Sequence, residues 1–167
     1  MKKYYIAYGS NLNFHQMKRR CPYAYFVGKT TLKGYELVFK ISKTGAYLTI
    51  QPSKTGEVPV AIWRVTEADE ERLDCYEGYP TYYEKKEFEL QYKGTLTGLK
   101  RTVTAFAYIM RSDRPVGVPS SLYFATCLLG YDMLNFDRSL LYEARERSMQ
   151  LVTHKSDICP YCGNIID

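Results

Sequence analysis

With 167 residues, 46% of them hydrophobic and 25% charged, the chain has the size and composition of one globular domain that buries a core without disulfide or metal staples. Its net charge is only +5, and basic residues alternate with acids, which argues against a nucleic-acid face; no apolar run approaches the roughly 20 residues of a membrane span. Five cysteines, an odd number and widely scattered, argue against a disulfide framework and for a reducing, cytoplasmic setting.

Residues 1–8 carry two lysines and a short apolar stretch without a cleavage pattern, and read as a first strand over 4–8 rather than a signal peptide. Gly9, Ser10 and Asn11 break that strand. Asn13 can cap a short helix through Arg20, which Pro22 closes. Residues 23–39, 47–50 and 59–65 are rich in β-branched and aromatic side chains and predict strands, with turns at Thr44-Gly45 and Thr55-Gly56. Thr66 is a suitable N-cap for a helix over 67–76, with Asp69 placed for a capping box and Gly78 just past the end. Strands are expected over 83–92 and 101–110. Pro119-Ser120-Ser121 opens a helix through Leu129, and an amphipathic helix covers 137–151.

Six or so strands and four helices in mixed order give an α+β class: a largely antiparallel sheet curled into a small barrel with flanking helices. The domain is expected over 1–151, followed by a polar tail over 152–167. The 17 tyrosines suit half-buried strands, where the ring packs and the hydroxyl stays wet.

Two segments can carry chemistry. The loop Tyr8-Gly9-Ser10-Asn11-Leu12 follows directly on a strand, where Gly9 permits close backbone approach and successive amides can converge on an oxygen; it is equally an ordinary turn. In Leu73-Asp74-Cys75-Tyr76-Glu77-Gly78-Tyr79-Pro80 a carboxylate ends a helix amid tyrosines. Apolar bulk and the helix C-terminus would both raise its pKa, although a solvated helix-end glutamate fits the same pattern. His15 and His154 neighbour no nucleophile; His15 reads as a surface residue of the first helix, and Cys75 as core.

Taken together, Tyr8-Gly9-Ser10-Asn11-Leu12 after an N-terminal strand, Leu73-Asp74-x-x-Glu77-Gly78 with Tyr83 soon after, and Pro119-Ser120-x-x-Tyr123 opening a late helix resemble the gamma-glutamyl cyclotransferase family. The resemblance covers residues 1 to about 150. It implies that a substrate's own α-amine attacks its γ-carbonyl, closing 5-oxoproline and expelling an amine or amino acid. Glu77 would be base and then acid, and the amides of Gly9 to Leu12 would hold the substrate and its oxyanion. Tyr83 and Tyr123 are candidate hydrogen-bonding walls, with Tyr82 competing for the role of Tyr83; Ser120 is a further candidate or simply a helix cap. A small γ-glutamyl compound is then the partner, no cofactor is required, and a monomer or homodimer is expected.

Loops over 40–44, 94–100 and 111–119, bearing Lys40, Lys43, Lys100, Arg111 and Arg114, are candidates for choosing the leaving group. In the tail, Cys159-Pro160-Tyr161-Cys162-Gly163 resembles both a redox tetrad and half of a zinc knuckle. It lacks a following helix for the first and, even with His154 as a possible third ligand, a full set of four for the second, so a metal-free tail is expected, with zinc at Cys159 and Cys162 the next reading. Two other functional classes stand beside the enzyme: a barrel that binds a small ligand without turning it over, and a zinc-linked accessory protein.

Overall fold

The computed structural model describes residues 3–156, and side chains through residue 153. In chain order it contains β1 (Lys3–Ala7), a 3-10 turn (Ser10–Leu12), α1 (Phe14–Arg20), β2 (Tyr25–Ile41), β3 (Ala46–Val65) and α2 (Glu67–Glu77). There follow β4 (Tyr83–Gly94), β5 (Lys100–Met110), α3 (Ser121–Met133) and α4 (Ser139–Ser156). The strands close a barrel in the order β1-β3-β2-β4-β5. All pairs are antiparallel except β1 with β5, which meet in parallel at Tyr5 and Phe106 and seal the barrel. The α+β barrel expected from the sequence is thus present.

Five strands rather than six arise because residues 46–65 form one strand. The expected turn at Thr55-Gly56 is a bend instead: pairing slips between Lys33↔Glu57 and Tyr35↔Pro52. Gly34 takes the left-handed conformation there, with φ 81°. Gly56 presses so closely on Tyr35 that an added Cβ would lie 2.3 Å from its carbonyl oxygen. Turn-forming residues serve here to sharpen the curvature of a continuous hairpin, as bulges do in closed sheets. The turn at Thr44-Gly45 forms as expected, with the Ser42 N–H donating to the Gly45 carbonyl at 2.8 Å.

α2 begins with the expected capping box: the Thr66 hydroxyl accepts from the Asp69 N–H at 3.2 Å, and Asp69 accepts from the Thr66 N–H at 3.2 Å. Such a cap contributes about 1 kcal/mol. The helix ends at Glu77, and Gly78 turns the chain away with φ 68° and ψ 39°. Charges fasten α2 to the barrel. Glu70 receives Lys3 at 2.5 Å and Lys85 at 2.7 Å, and Lys85 also reaches Asp74 at 2.7 Å. Burial works to raise the Glu70 pKa, but hydrogen bonds from the two lysines hold it below the ordinary value. The orientation of the last turn of α2, and so of Glu77, is fixed from beneath.

α3 crosses the 3-10 turn at Gly130, where a Cβ would meet the Asn13 nitrogen at 2.7 Å and the Leu12 Cβ at 2.7 Å. Only glycine permits this approach. α3 runs to Met133 and α4 to Ser156, beyond the ends expected at 129 and 151: Tyr131 is buried in the core and holds the added turn of α3, and no proline or glycine stands between Leu151 and Ser156. Cys75, expected in the core, is exposed on α2, while Cys21 and Cys127 are buried. His15 is exposed.

Candidate active site

A cavity of about 220 Å3 opens at the end of the barrel where β1, the β2–β3 hairpin and the C-terminus of α2 meet. Of the substrate-site residues that the resemblance implies, Tyr8, Gly9, Ser10, Asn11, Glu77, Tyr83 and Tyr123 line it. Two do not. Leu12 sends its side chain into the core and spends its N–H on the Gly9 carbonyl at 2.9 Å. Ser120 is exposed and caps α3, its hydroxyl accepting from the Tyr123 N–H at 3.2 Å. With Leu12 N–H occupied, the amides of Ser10 and Asn11 are the ones in the 3-10 turn that donate to no protein acceptor among the described residues.

Among the described residues Glu77 is the one carboxylate lining the cavity. The residue as a whole is half-buried at the helix end, but its carboxyl faces inward among tyrosine rings. Burial pushes its pKa up to about 7, against a smaller opposing pull from the Arg20 cation. Its nearest hydrogen-bond donor is the Asn11 side-chain nitrogen, at a long 3.5 Å from Oε1. A carboxyl group so poised is half ionised near neutrality and can both accept and return a proton.

Arg20, not singled out in the sequence, organises the loop. Its guanidinium donates to Asn11 Oδ1 at 2.5 Å, to Ser10 Oγ at 3.0 Å and to the Tyr76 hydroxyl, and lies 3.5 Å from the centroid of the Tyr76 ring. A guanidinium can only donate, so it fixes the Asn11 amide with oxygen towards Arg20. The amide nitrogen is thereby turned to the Tyr5 hydroxyl, at 2.9 Å, and to Glu77.

The walls are phenols. Tyr123 accepts from the Leu48 N–H at 3.2 Å and Tyr83 donates to the Leu48 carbonyl at 3.4 Å, so one residue of β3 anchors both. Tyr8 donates to the Tyr108 carbonyl, and the Tyr108 hydroxyl donates to Asp74 at 2.6 Å. Burial raises the pKa of Tyr5, Tyr8, Tyr83, Tyr108 and Tyr123 above that of free phenol. They stay neutral at physiological pH. Tyr82, the sequence alternative to Tyr83, lines the cavity as well.

The loop over 94–100 does not line the cavity: the register Tyr83↔Met110 to Lys93↔Lys100 sets it ten residues, about 30 Å measured along the strand, down the β4–β5 ribbon from Tyr83. Lys40 is buried, its Nζ held by the Ser112 carbonyl at 3.4 Å, so it too leaves the rim. Cys21 and Cys127 are driven by burial to about 12 and are inert thiols. Among the described residues no cluster of three His, Cys, Asp or Glu side chains could hold a metal, and no helix is long and apolar enough to cross a membrane. Cys159 and Cys162 lie outside the described residues.

The family model described as gamma-glutamyl cyclotransferase, AIG2-like, matches residues 5–124. No curated protein matches the sequence significantly. Among solved structures, one described as gamma-glutamyl cyclotransferase superposes with a TM-score of 0.70 at 20% identity, covering 92% of this chain and 99% of that one. An uncharacterised protein from Homo sapiens gives 0.69 at 22% identity, covering 91% and 98%. The protein YkqA from Bacillus subtilis gives 0.68 at 16%, covering 89% of this chain and 54% of its own. At these identities the superpositions establish a shared fold.

Proposed function

Because the chain belongs to the gamma-glutamyl cyclotransferase, AIG2-like family, we propose that it cyclises a γ-glutamyl compound to 5-oxoproline. The substrate's α-nitrogen bonds to the carbon of its γ-carbonyl (Cδ), and the bond from that carbon to the departing nitrogen breaks. The α-ammonium surrenders two protons as it becomes a lactam N–H; the departing nitrogen takes one to leave as an amine and, at neutral pH, a second. Glu77 as carboxylate accepts the first proton and as acid returns it to the leaving group.

The observation that carries this reading is the inward-facing Glu77 carboxyl, titrating near 7 in a tyrosine-walled cavity. A site that merely bound an anionic ligand would gain nothing from it. The free Ser10 and Asn11 amides would receive the oxyanion developing on the γ-carbonyl. Attack is intramolecular, so the cavity has chiefly to hold the substrate curled.

The test is a screen for 5-oxoproline release from γ-glutamyl amino acids and γ-glutamyl amines, with Glu77→Gln alongside. Turnover that falls on the order of a hundred- to ten-thousand-fold in the variant is expected. Wild-type protein that binds γ-glutamyl compounds but turns none over would make this a binding domain. Substitution without effect would dismiss Glu77.

A further inference from the structure

Among the described residues Glu77 and Lys43 are the two charged side chains lining the cavity. They stand in different settings. Glu77 is at the inner end, beside the buried Tyr5, Tyr8, Asn11 and Tyr83. Lys43 is exposed at the tip of the β2–β3 hairpin, and Ser42 and Thr44 line the cavity beside it.

The tip is held in place. The Ile41 N–H donates to the Pro115 carbonyl at 2.8 Å, Arg114 Nε donates to the Ile41 carbonyl at 3.0 Å, and the Thr44 and Tyr47 hydroxyls meet at 2.6 Å. Gly117 packs so tightly that a Cβ would lie 2.5 Å from Ile41 Cγ1.

Other cations nearby are committed. Arg20 serves Ser10, Asn11 and Tyr76; Lys85 serves Glu70 and Asp74; Arg111 faces Glu84 and Asp113, each at 3.6 Å; Arg114 braces the hairpin and lies 5.0 Å from the Tyr82 ring centroid. Lys43 has no carboxylate partner among the described residues.

Resting on the reading of this site as a γ-glutamyl cyclotransferase, we propose that Lys43 selects substrates whose departing group carries its own carboxylate: γ-glutamyl amino acids or peptides rather than γ-glutamyl amines. The α-amine must reach Glu77, which puts the γ-glutamyl half in the inner part of the cavity. The departing group then extends towards the mouth, where the free charge is positive. A cationic amine tail would meet Lys43 and find, among the described residues, no lining carboxylate but Glu77 itself.

Three probes share the γ-glutamyl half and differ only in the departing group: γ-glutamyl-alanine, γ-glutamyl-ethylamide and γ-glutamyl-(2-aminoethyl)amide, with an anionic, a neutral and a cationic tail. kcat/KM for each is measured with wild type, Lys43→Met and Lys43→Glu at low and high salt. The wild type is expected to prefer the alanine compound. Lys43→Met should cut that preference about two- to five-fold, the size of one solvent-exposed ion pair. Lys43→Glu should turn it towards the cationic probe, and salt should flatten all three differences.

Equal losses on all probes in Lys43→Met would mean that Lys43 holds the α-carboxylate they share, and would overturn the proposal; unchanged ratios would also overturn it. Were no probe turned over, calorimetric binding of the same three to the same proteins gives the ratios directly. Charge-dependent ratios would then sustain the role of Lys43 while the cyclotransferase reading fell. Absence of any binding would overturn both.

Discussion

Glu77→Gln should make the protein more stable at alkaline pH while making it inactive. Burial raises the Glu77 pKa from 4.5 to about 7, so between those values the native state binds more protons than the unfolded chain. Stability contributed by the protonated group is therefore fully present below pH 4.5 and is lost as pH rises through about 7. The shift corresponds to at most about 3 kcal/mol, and because water reaches the carboxyl through the cavity, about 1–3 kcal/mol is the expected range.

Glutamine keeps the shape and can still accept from the Asn11 amide, but has no charge to desolvate. Urea unfolding of wild type and variant at pH 5 and pH 8 measures the difference. Charged groups elsewhere, such as the Lys3–Glu70–Lys85 cluster, titrate alike in both proteins and cancel. Glu77→Gln should exceed wild type by about 1–3 kcal/mol more at pH 8 than at pH 5, roughly 2–10 °C in melting temperature for a domain of this size. An increment equal at both pH values, or a variant less stable at pH 8, would refute the raised pKa.

Three further outcomes follow from the site. kcat/KM should climb about tenfold between pH 6 and pH 8 as Glu77 ionises, where a glutamate titrating at 4.5 would give a flat profile. In Arg20→Met the same rise should move to higher pH, since the cation that favours the carboxylate is gone, and KM should increase as the Ser10–Asn11 turn loosens; Arg20→Lys should restore the midpoint but not KM, because an ammonium cannot span Ser10, Asn11 and Tyr76. Gly130→Ala should cost about 1–3 kcal/mol in unfolding free energy and lower kcat/KM, because its Cβ lands 2.7 Å from Asn13 N and Leu12 Cβ.

Local chemistry was readable in the sequence. Asn13, Thr66 and Ser120 cap their helices and Gly78 closes α2, because a cap depends only on residues three or four apart. The same locality misread Thr55-Gly56: turn formers look alike whether they end a strand or bend one, and what decides is Tyr35, twenty residues away on the neighbouring strand. Glu77 could be placed beside the Tyr8–Asn11 loop only through resemblance. Arg20 could not be found at all, since one of its partners, Tyr76, is 56 residues distant and a basic residue ending a helix is otherwise unremarkable. Lys40 and Lys43 are three residues apart in one basic stretch; one points into the protein and one stands at the rim, a difference set by the Val116 bridge to Lys40.

The contact at Gly130 bears on where the working unit ends. The family match stops at residue 124, four residues into α3, whereas the backbone that presses on the 3-10 turn belongs to residue 130. A fragment cut at the match would keep Glu77, Arg20 and every lining tyrosine, yet would strip the support of α3 from Leu12 and Asn13 and leave that face of the turn to water. The minimal functional unit should therefore extend at least through Leu134, and comparisons that stop at the matched segment would miss the residue on which the loop rests.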